Sequence, residues 1–290
     1  MHLETFHYKT DHSLQTVTIA KPPRQIPSTE GYWVILIRGG AWHDPIQASL
    51  DFLTPTITAL ASSCGTVSLP IAAFASISYR LGPHPDNIHD VQAALASLQR
   101  KFGFGSRYIF VGCNCGATLA FQSVMGRFRS KESEWTYASP AVIVGVAGVY
   151  DLKMLQNSCK DDPACQSFIE RAFGSDEAVW DDVSPATVEG LDGVEGGWDA
   201  GHYALLADPR TAGPIELAQR DAMKDGALAR WLRAGGSGDR RIGRLPLDGE
   251  GSEVWGNGGE LARAITFAHE RLQMVITHIS EMKQLSSQAE

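Results

Sequence analysis

The sequence of 290 residues contains no run of about 18 apolar residues, the length a helix needs to cross a bilayer. Its start, MHLETFHYKTDHSLQTVTIA, lacks an apolar h-region and a small-residue cleavage site, so a cytoplasmic protein without a secretory signal is expected. It also lacks a basic stripe. Lys and Arg number 25 against 33 Asp and Glu, for a net charge of −8, which argues against nucleic acid and against an anionic membrane surface as partners. Cysteine is scarce: Cys64, Cys113, Cys115, Cys159 and Cys165. An odd count without a leader predicts reduced thiols. No second ligand pair stands at metal spacing from either close pair, so neither a metal nor another cofactor is expected.

What is present is ordinary globular composition, with charges mixed rather than blocked. Apolar runs at 31–37, 72–79, 108–112, 141–150, 204–207 and 242–247 read as buried strands. Helical spacing separates them at 49–64, 86–102 and 117–125. A last helix carries Leu261, Ile265, Ala268, Leu272, Val275, Ile279 and Met282 on one stripe. The glycine-containing stretches 188–201 and 235–241 read as loops, because a strand follows each. Residues 1–290 are therefore expected to form one α/β domain with a mostly parallel sheet and helices on both faces. Ligands of such sheets bind beyond the carboxyl ends of the strands.

Two motifs lie at those ends. Arg38-Gly39-Gly40-Ala41-Trp42 follows the first buried strand, where glycines let backbone N–H groups turn toward a developing oxyanion. Gly112-Cys113-Asn114-Cys115-Gly116 follows YIFV and opens a helix. Its strand–turn–helix context and G-x-x-x-G frame match a nucleophile elbow. Asn114 holds the central position, and asparagine tolerates the positive φ found there. An amide cannot attack a carbonyl as an activated serine does.

These segments carry a resemblance. GYWVILIRGGAWHDP, YIFVGCNCGATLAFQ, GVYDLKML, SFIERAFGSDEAVWDDVSPAT and GSEVWGNGGELARAI together resemble the kynurenine formamidases (arylformamidases), above all fungal ones, of the α/β-hydrolase superfamily. The resemblance covers most of the chain and implies the α/β-hydrolase fold. It also implies a Ser-His-Asp triad, from which this chain departs. Arg38 stands at the family's oxyanion-loop histidine, and Cys113 at the histidine before the nucleophile. The triad positions fall on Asn114, near Ala212 (counted back from Gln219 and Met223), and on Gly251.

Three rescues of hydrolysis are conceivable: a thiol nucleophile at Cys115 or Cys113, a general base at His43, or an acid at Asp208. Each has a plainer reading, as a small buried thiol, a loop histidine or a structural ion pair. Arg38 places a fixed cation with five donors on the oxyanion loop. Either it meets a ligand carbonyl, carboxylate or enolate, or it faces solvent or pairs with Asp44 or Asp208. Trp42 and Tyr150 are candidate aromatic walls or core residues. His89-Asp90 is expected to cap or charge the first turn of a helix, with His84 in the lead-in, and His202, His269 and His278 are expected on surfaces.

Three functions stay open. The first is non-hydrolytic catalysis, a cyclisation, cycloaddition or isomerisation of an aromatic or apolar small-molecule metabolite in secondary metabolism. Arg38, Asn114 and His43 would serve it, with Gly39, Gly40, Trp42, Cys113, Cys115, Tyr150 and Asp208 around the substrate. The second is a binding pseudoenzyme, and the third a residual formamidase or esterase. A homodimer is left open.

Overall fold

Strands buried on both faces decide the architecture. The structure, a computed structural model, describes residues 2–22, 26–40, 42, 50–62, 69–129, 136–198, 202–234, 240–249 and 258–289. Strand β3 (Tyr32–Ile37) is buried at all six positions, as are β5 (Tyr108–Cys113) and β6 (Val142–Val146). Each fully buried Val or Ile in them contributes about 1.5–3 kcal/mol. With β1 (Leu3–His7), β2 (Thr16–Ala20), β4 (Ile71–Ile77), β7 (Tyr203–Pro209) and β8 (Arg241–Leu247) they form one eight-stranded sheet, ordered β1-β2-β4-β3-β5-β6-β7-β8. β1 and β2 pair antiparallel, as do β2 and β4, and the rest is parallel.

One face packs on α2 (Asp86–Phe102), α3 (Cys115–Gln122) and α8 (Pro214–Met223), which runs through a π turn at Lys224–Leu228 into α9 (Ala229–Ala234). The other packs on α1 (Leu50–Ser62) and α10 (Gly259–Ala289). Three helices between β6 and β7, α4 (Leu152–Ser158), α5 (Pro163–Phe173) and α6 (Glu177–Val183), build a separate apolar cluster over the strand ends. Each starts on an aspartate, Asp151, Asp162 and Asp176, whose side chain accepts from the first turn, the usual N-cap device.

Several expectations need correction. The antiparallel pair β1 and β2 gave no apolar run, because β1 is mostly exposed. β6 stops at Val146, four residues early, since Ala147 takes φ 42° and turns the chain out of the sheet. Stretch 188–201 holds a 3-10 turn at Gly190–Asp192 and a short helix, α7 (Val194–Gly197). Cys159 and Cys165 are joined in a disulfide, whereas Cys113 and Cys115 keep their thiols. His202 and His269 are buried, because Trp198 stacks on the first and Tyr32 covers the second. Among the described residues no helix is long and apolar enough to cross a membrane.

Asp90 does not charge an exposed helix turn. It is fully buried and accepts from Gln15 Nε2 (2.8 Å), Arg80 N (3.0 Å), Arg80 Nε (2.9 Å) and Arg80 Nη2 (2.9 Å). The carboxylate thus ties the entry to β2 and the exit of β4 to α2. Removing one partner of such a pair strands the other. Asp90→Ala is expected to lower stability by about 3 kcal/mol, read as a lower urea midpoint at unchanged m-value. A loss under 1 kcal/mol would contradict this role.

Candidate functional site

The site is built where β3 and β5 end side by side, with Ile37 opposite Gly112. After β5 the chain turns into α3 through Asn114, at φ 52° and ψ −120°. That backbone is strained for a side chain, and asparagine is among the residues that bear it best. The turn is tight because its glycines leave no space. A Cβ on Gly112 would fall on the Gly116 carbonyl, and one on Gly116 would come within 2.5 Å of the Arg38 carbonyl oxygen. Asn114 N donates to Val146 O at 2.9 Å, and Ala117 N donates to Asn114 O at 3.0 Å. Asn114 is exposed, although both flanking cysteines are buried.

The loop after β3 lies against this elbow. A Cβ on Gly39 would sit 3.0 Å from Cys113 O and 3.2 Å from Asn114 Cβ, and Gly40 takes φ 111°. Outside the sheet ladder, neither Gly39 nor Gly40 donates its N–H to a described residue. Arg38 is buried, with its Cζ 5.4 Å from the Tyr79 ring centroid. That overturns the solvent-facing alternative for this residue. Pairing with Asp44 falls outside the described residues. Tyr79 joins the site unforeseen: its hydroxyl donates to Arg38 O at 3.4 Å and lies 3.8 Å from Cys115 Sγ. Its place was legible in principle, two residues past the end of the strand beside β3.

Trp42 (φ 60°) is buried in the cap cluster, its ring 4.9 Å from Phe173 and 6.2 Å from Phe168. Cys115 belongs to the same cluster. Burial pushes the Cys113 thiol far above its ordinary range, with Cys115 adding to the effect. Neither thiol is presented to solvent as Asn114 is. Tyr150 lies in the core with its ring over Gly148 and its hydroxyl against Gly145. Burial raises its phenol first, and Asp208 and Cys113 raise it further. Gln219 fastens this segment: its Oε1 accepts from Tyr150 N (2.7 Å) and Asp151 N (2.8 Å), while its Nε2 donates to Asp151 O (2.7 Å). Ala212 lies in the turn after β7, donating its N–H to Pro209 O at 3.0 Å. His43 and Gly251 lie outside the described residues.

Asp208, at the end of β7, is 6% exposed and its Oδ2 has no partner among the described residues. It lines a cleft of about 460 Å³ with Leu206, Arg210, Leu217, Arg220 and Arg244. Burial raises its pKa to about 6, against the pull of Arg220 and with help from Asp221 and Glu216. Arg38 is not among the charges acting on it.

No family model matches the chain. It is 38% identical over 281 residues to a kynurenine formamidase-like hydrolase of Fusarium equiseti, covering 89% of this chain and 90% of that protein. It is 32% identical over 209 residues to a kynurenine formamidase of Aspergillus versicolor, covering 61% of this chain and 70% of that one. Esterase B of Lactobacillus rhamnosis superposes with a TM-score of 0.66 at 18% identity, over 99% of this chain and 90% of that one. An esterase of Thermogutta terrifontis gives 0.60 at 16% identity, over 94% and 92%. At those identities the likeness shows the fold, an α/β-hydrolase fold.

The Asp208 carboxyl yields a pH signature. Its folded-state pKa of about 6 exceeds the value near 4 of an unfolded chain. The proton that the fold retains therefore favours folding fully below about pH 4, and this contribution is lost as pH rises to about 6. Asp208→Asn removes that loss. The variant should match the parent near pH 4 and exceed it by about 1–3 kcal/mol at pH 7, measured by urea unfolding at each pH. The difference excludes His84 and His269, whose pKa values burial lowers to about 4 and whose effect runs the opposite way. A variant no more stable than the parent at pH 7 would refute the assignment.

Proposed function

We propose that this chain, which belongs to the kynurenine formamidase-like hydrolase family, has exchanged covalent hydrolysis for a reaction that needs only a held and polarised carbonyl. The observation that carries this is Asn114, exposed at the apex of an intact elbow with positive φ. A carboxamide there offers a donor and an acceptor but no nucleophile. By the family resemblance the acid and base positions fall near Ala212 and on Gly251, and neither of these side chains can relay a proton. The frame that would hold a carbonyl oxygen persists, since among the described residues the Gly39 and Gly40 N–H groups beside the elbow find no acceptor outside the sheet ladder. Such donors stabilise developing negative charge on oxygen without forming a bond to carbon.

The ligand class is drawn from the aromatic cap beside the elbow and from the relatives. The cap over the strand ends is rich in aromatic rings, Trp42, Phe168, Phe173 and Trp180, and the relatives are named for kynurenine, an aryl ketone. An aromatic or apolar metabolite bearing a carbonyl fits both. The reaction would be a cyclisation, cycloaddition or isomerisation, in which orientation and hydrogen bonding to the carbonyl lower the barrier. Arg38 would add a fixed positive charge beneath the oxyanion loop. The buried cysteine thiols, Cys113 held protonated by its burial, do not replace the missing serine.

Hydrolysis assays decide the first half of this reading. Formanilide and p-nitrophenyl acetate should be cleaved no faster than in buffer. Turnover abolished by Cys115→Ala or by His43→Ala would revive a formamidase or esterase and defeat the proposal. The second half rests on Arg38. Arg38→Ala is expected to weaken binding of an aryl ketone such as kynurenine by about tenfold, taking one charged hydrogen bond at roughly 1.5 kcal/mol. Calorimetry reads this against the parent, and equal affinity in the two proteins would remove Arg38 from the pocket.

A further inference from the structure

A second concave site lies at the opposite end of the sheet. Asn114 follows the carboxyl end of β5, whereas this groove begins at the amino ends of β7 and β8, where Tyr203 pairs with Arg241. It measures about 450 Å³ and lies between β8 and α10, with Tyr203, Ile242, Phe267 and Val275 among its apolar walls. That volume is within the range of small-molecule sites. Gly243 lets the Tyr203 ring lie close over β8, because the Tyr203 hydroxyl occupies the place a Cβ on Gly243 would take.

Three arginines, Arg241, Arg244 and Arg271, line the same groove. Among the described residues Asp221 reaches Arg244 at 3.9 Å, and no carboxylate pairs with Arg241 or Arg271. Arg241 donates to the Arg240 carbonyl at 2.9 Å. Arg271 lies over the Phe267 ring, its Cζ 5.0 Å from the centroid, with Nη1 3.8 Å from Met274 Sδ. Three cations around an apolar floor are unusual on a chain of net charge −8. A guanidinium stacked on an aromatic ring keeps its outward donors for a planar anion. Met274 at the rim is 61% exposed, so the apolar surface continues to the mouth.

We propose that this groove is a binding site for a small organic acid, a carboxylate carried on a flat apolar body. The carboxylate is held by Arg241 and Arg271, and the body lies on Phe267 and Val275. The site is independent of the elbow and of the reaction proposed for it.

The test is a titration followed by amide NMR on the full chain, with 3-phenylpropionate as the probe and its neutral amide as the control. Saturable shifts are expected at the backbone amides of Ile242, Gly243 and Phe267. Affinity for the acid should exceed that for the amide by about tenfold, two partly exposed charge pairs contributing roughly 0.7 kcal/mol each. Arg241→Gln combined with Arg271→Gln should erase that preference. Both side chains are exposed, so the melting temperature should stay within a few degrees of the parent. Equal binding of acid and amide would overturn the proposal and needs no variant. So would shifts confined to Gly39 and Asn114, or shifts at the groove with a Glu-rich peptide but none with the small acid.

Discussion

Three stretches of backbone meet at the centre of this molecule with no room for a side chain between them. The Arg38 carbonyl lies where a Cβ on Gly116 would go, the Gly116 carbonyl where a Cβ on Gly112 would go, and Gly39 rests on Cys113 and Asn114. Any larger residue at these positions would force β3 away from the start of α3. This packing fixes the rest. It holds Asn114 at φ 52°, turns its side chain out, and draws both neighbouring cysteines in. It also sets the oxyanion loop beside the elbow whatever the elbow residue is. The geometry of a hydrolase is therefore a property of the glycines, and the chemistry is a separable property of the residue between them.

That separation explains how a site can keep its form and change its use. The strand-end segment after β6 is fixed by Gln219, which bonds Tyr150 and Asp151 on both sides of their peptide. Asp151 then caps α4, and the cap helices pack Phe173 onto Trp42. None of these contacts involves a nucleophile, acid or base. Asparagine suits the turn's positive φ. On the proposed reading, a ligand carbonyl meets a neutral amide and backbone donors instead of an attacking oxygen.

The legible parts of the sequence were those whose constraint is local. A buried parallel strand must be apolar along its length, so β3, β4, β5 and β7 showed themselves. A sharp strand-to-helix turn must have glycine where backbones touch, so the elbow did too. The resemblance to kynurenine formamidases, carried by those motifs, is matched by relatives at 38% and 32% identity. The hidden parts depend on partners distant in the chain. Asp90 looked like a helix-terminal charge because Gln15 and Arg80 approach it only in the fold. Tyr79 looked like the end of a strand until Arg38 was laid over it. The chain has no basic stripe, yet Arg241, Arg244 and Arg271 line one groove, since β8 and α10 run beside each other. The Cys159–Cys165 disulfide contradicted a count-based expectation, because an odd total says nothing about any one pair.

The two buried aspartates show where the fold spends its stability and where it withholds it. Asp90 receives four donors and holds three elements together. Asp208, nearly as buried, has an oxygen without a described partner and a pKa raised by burial to about 6. A carboxyl in that condition lowers stability at neutral pH, and an asparagine or leucine would relieve it. The unsatisfied group stands at the carboxyl end of β7, on the edge of the sheet where the elbow and the oxyanion loop also end, and it opens on a cleft. Unfavourable buried groups collect at working ends of proteins more than in their frames.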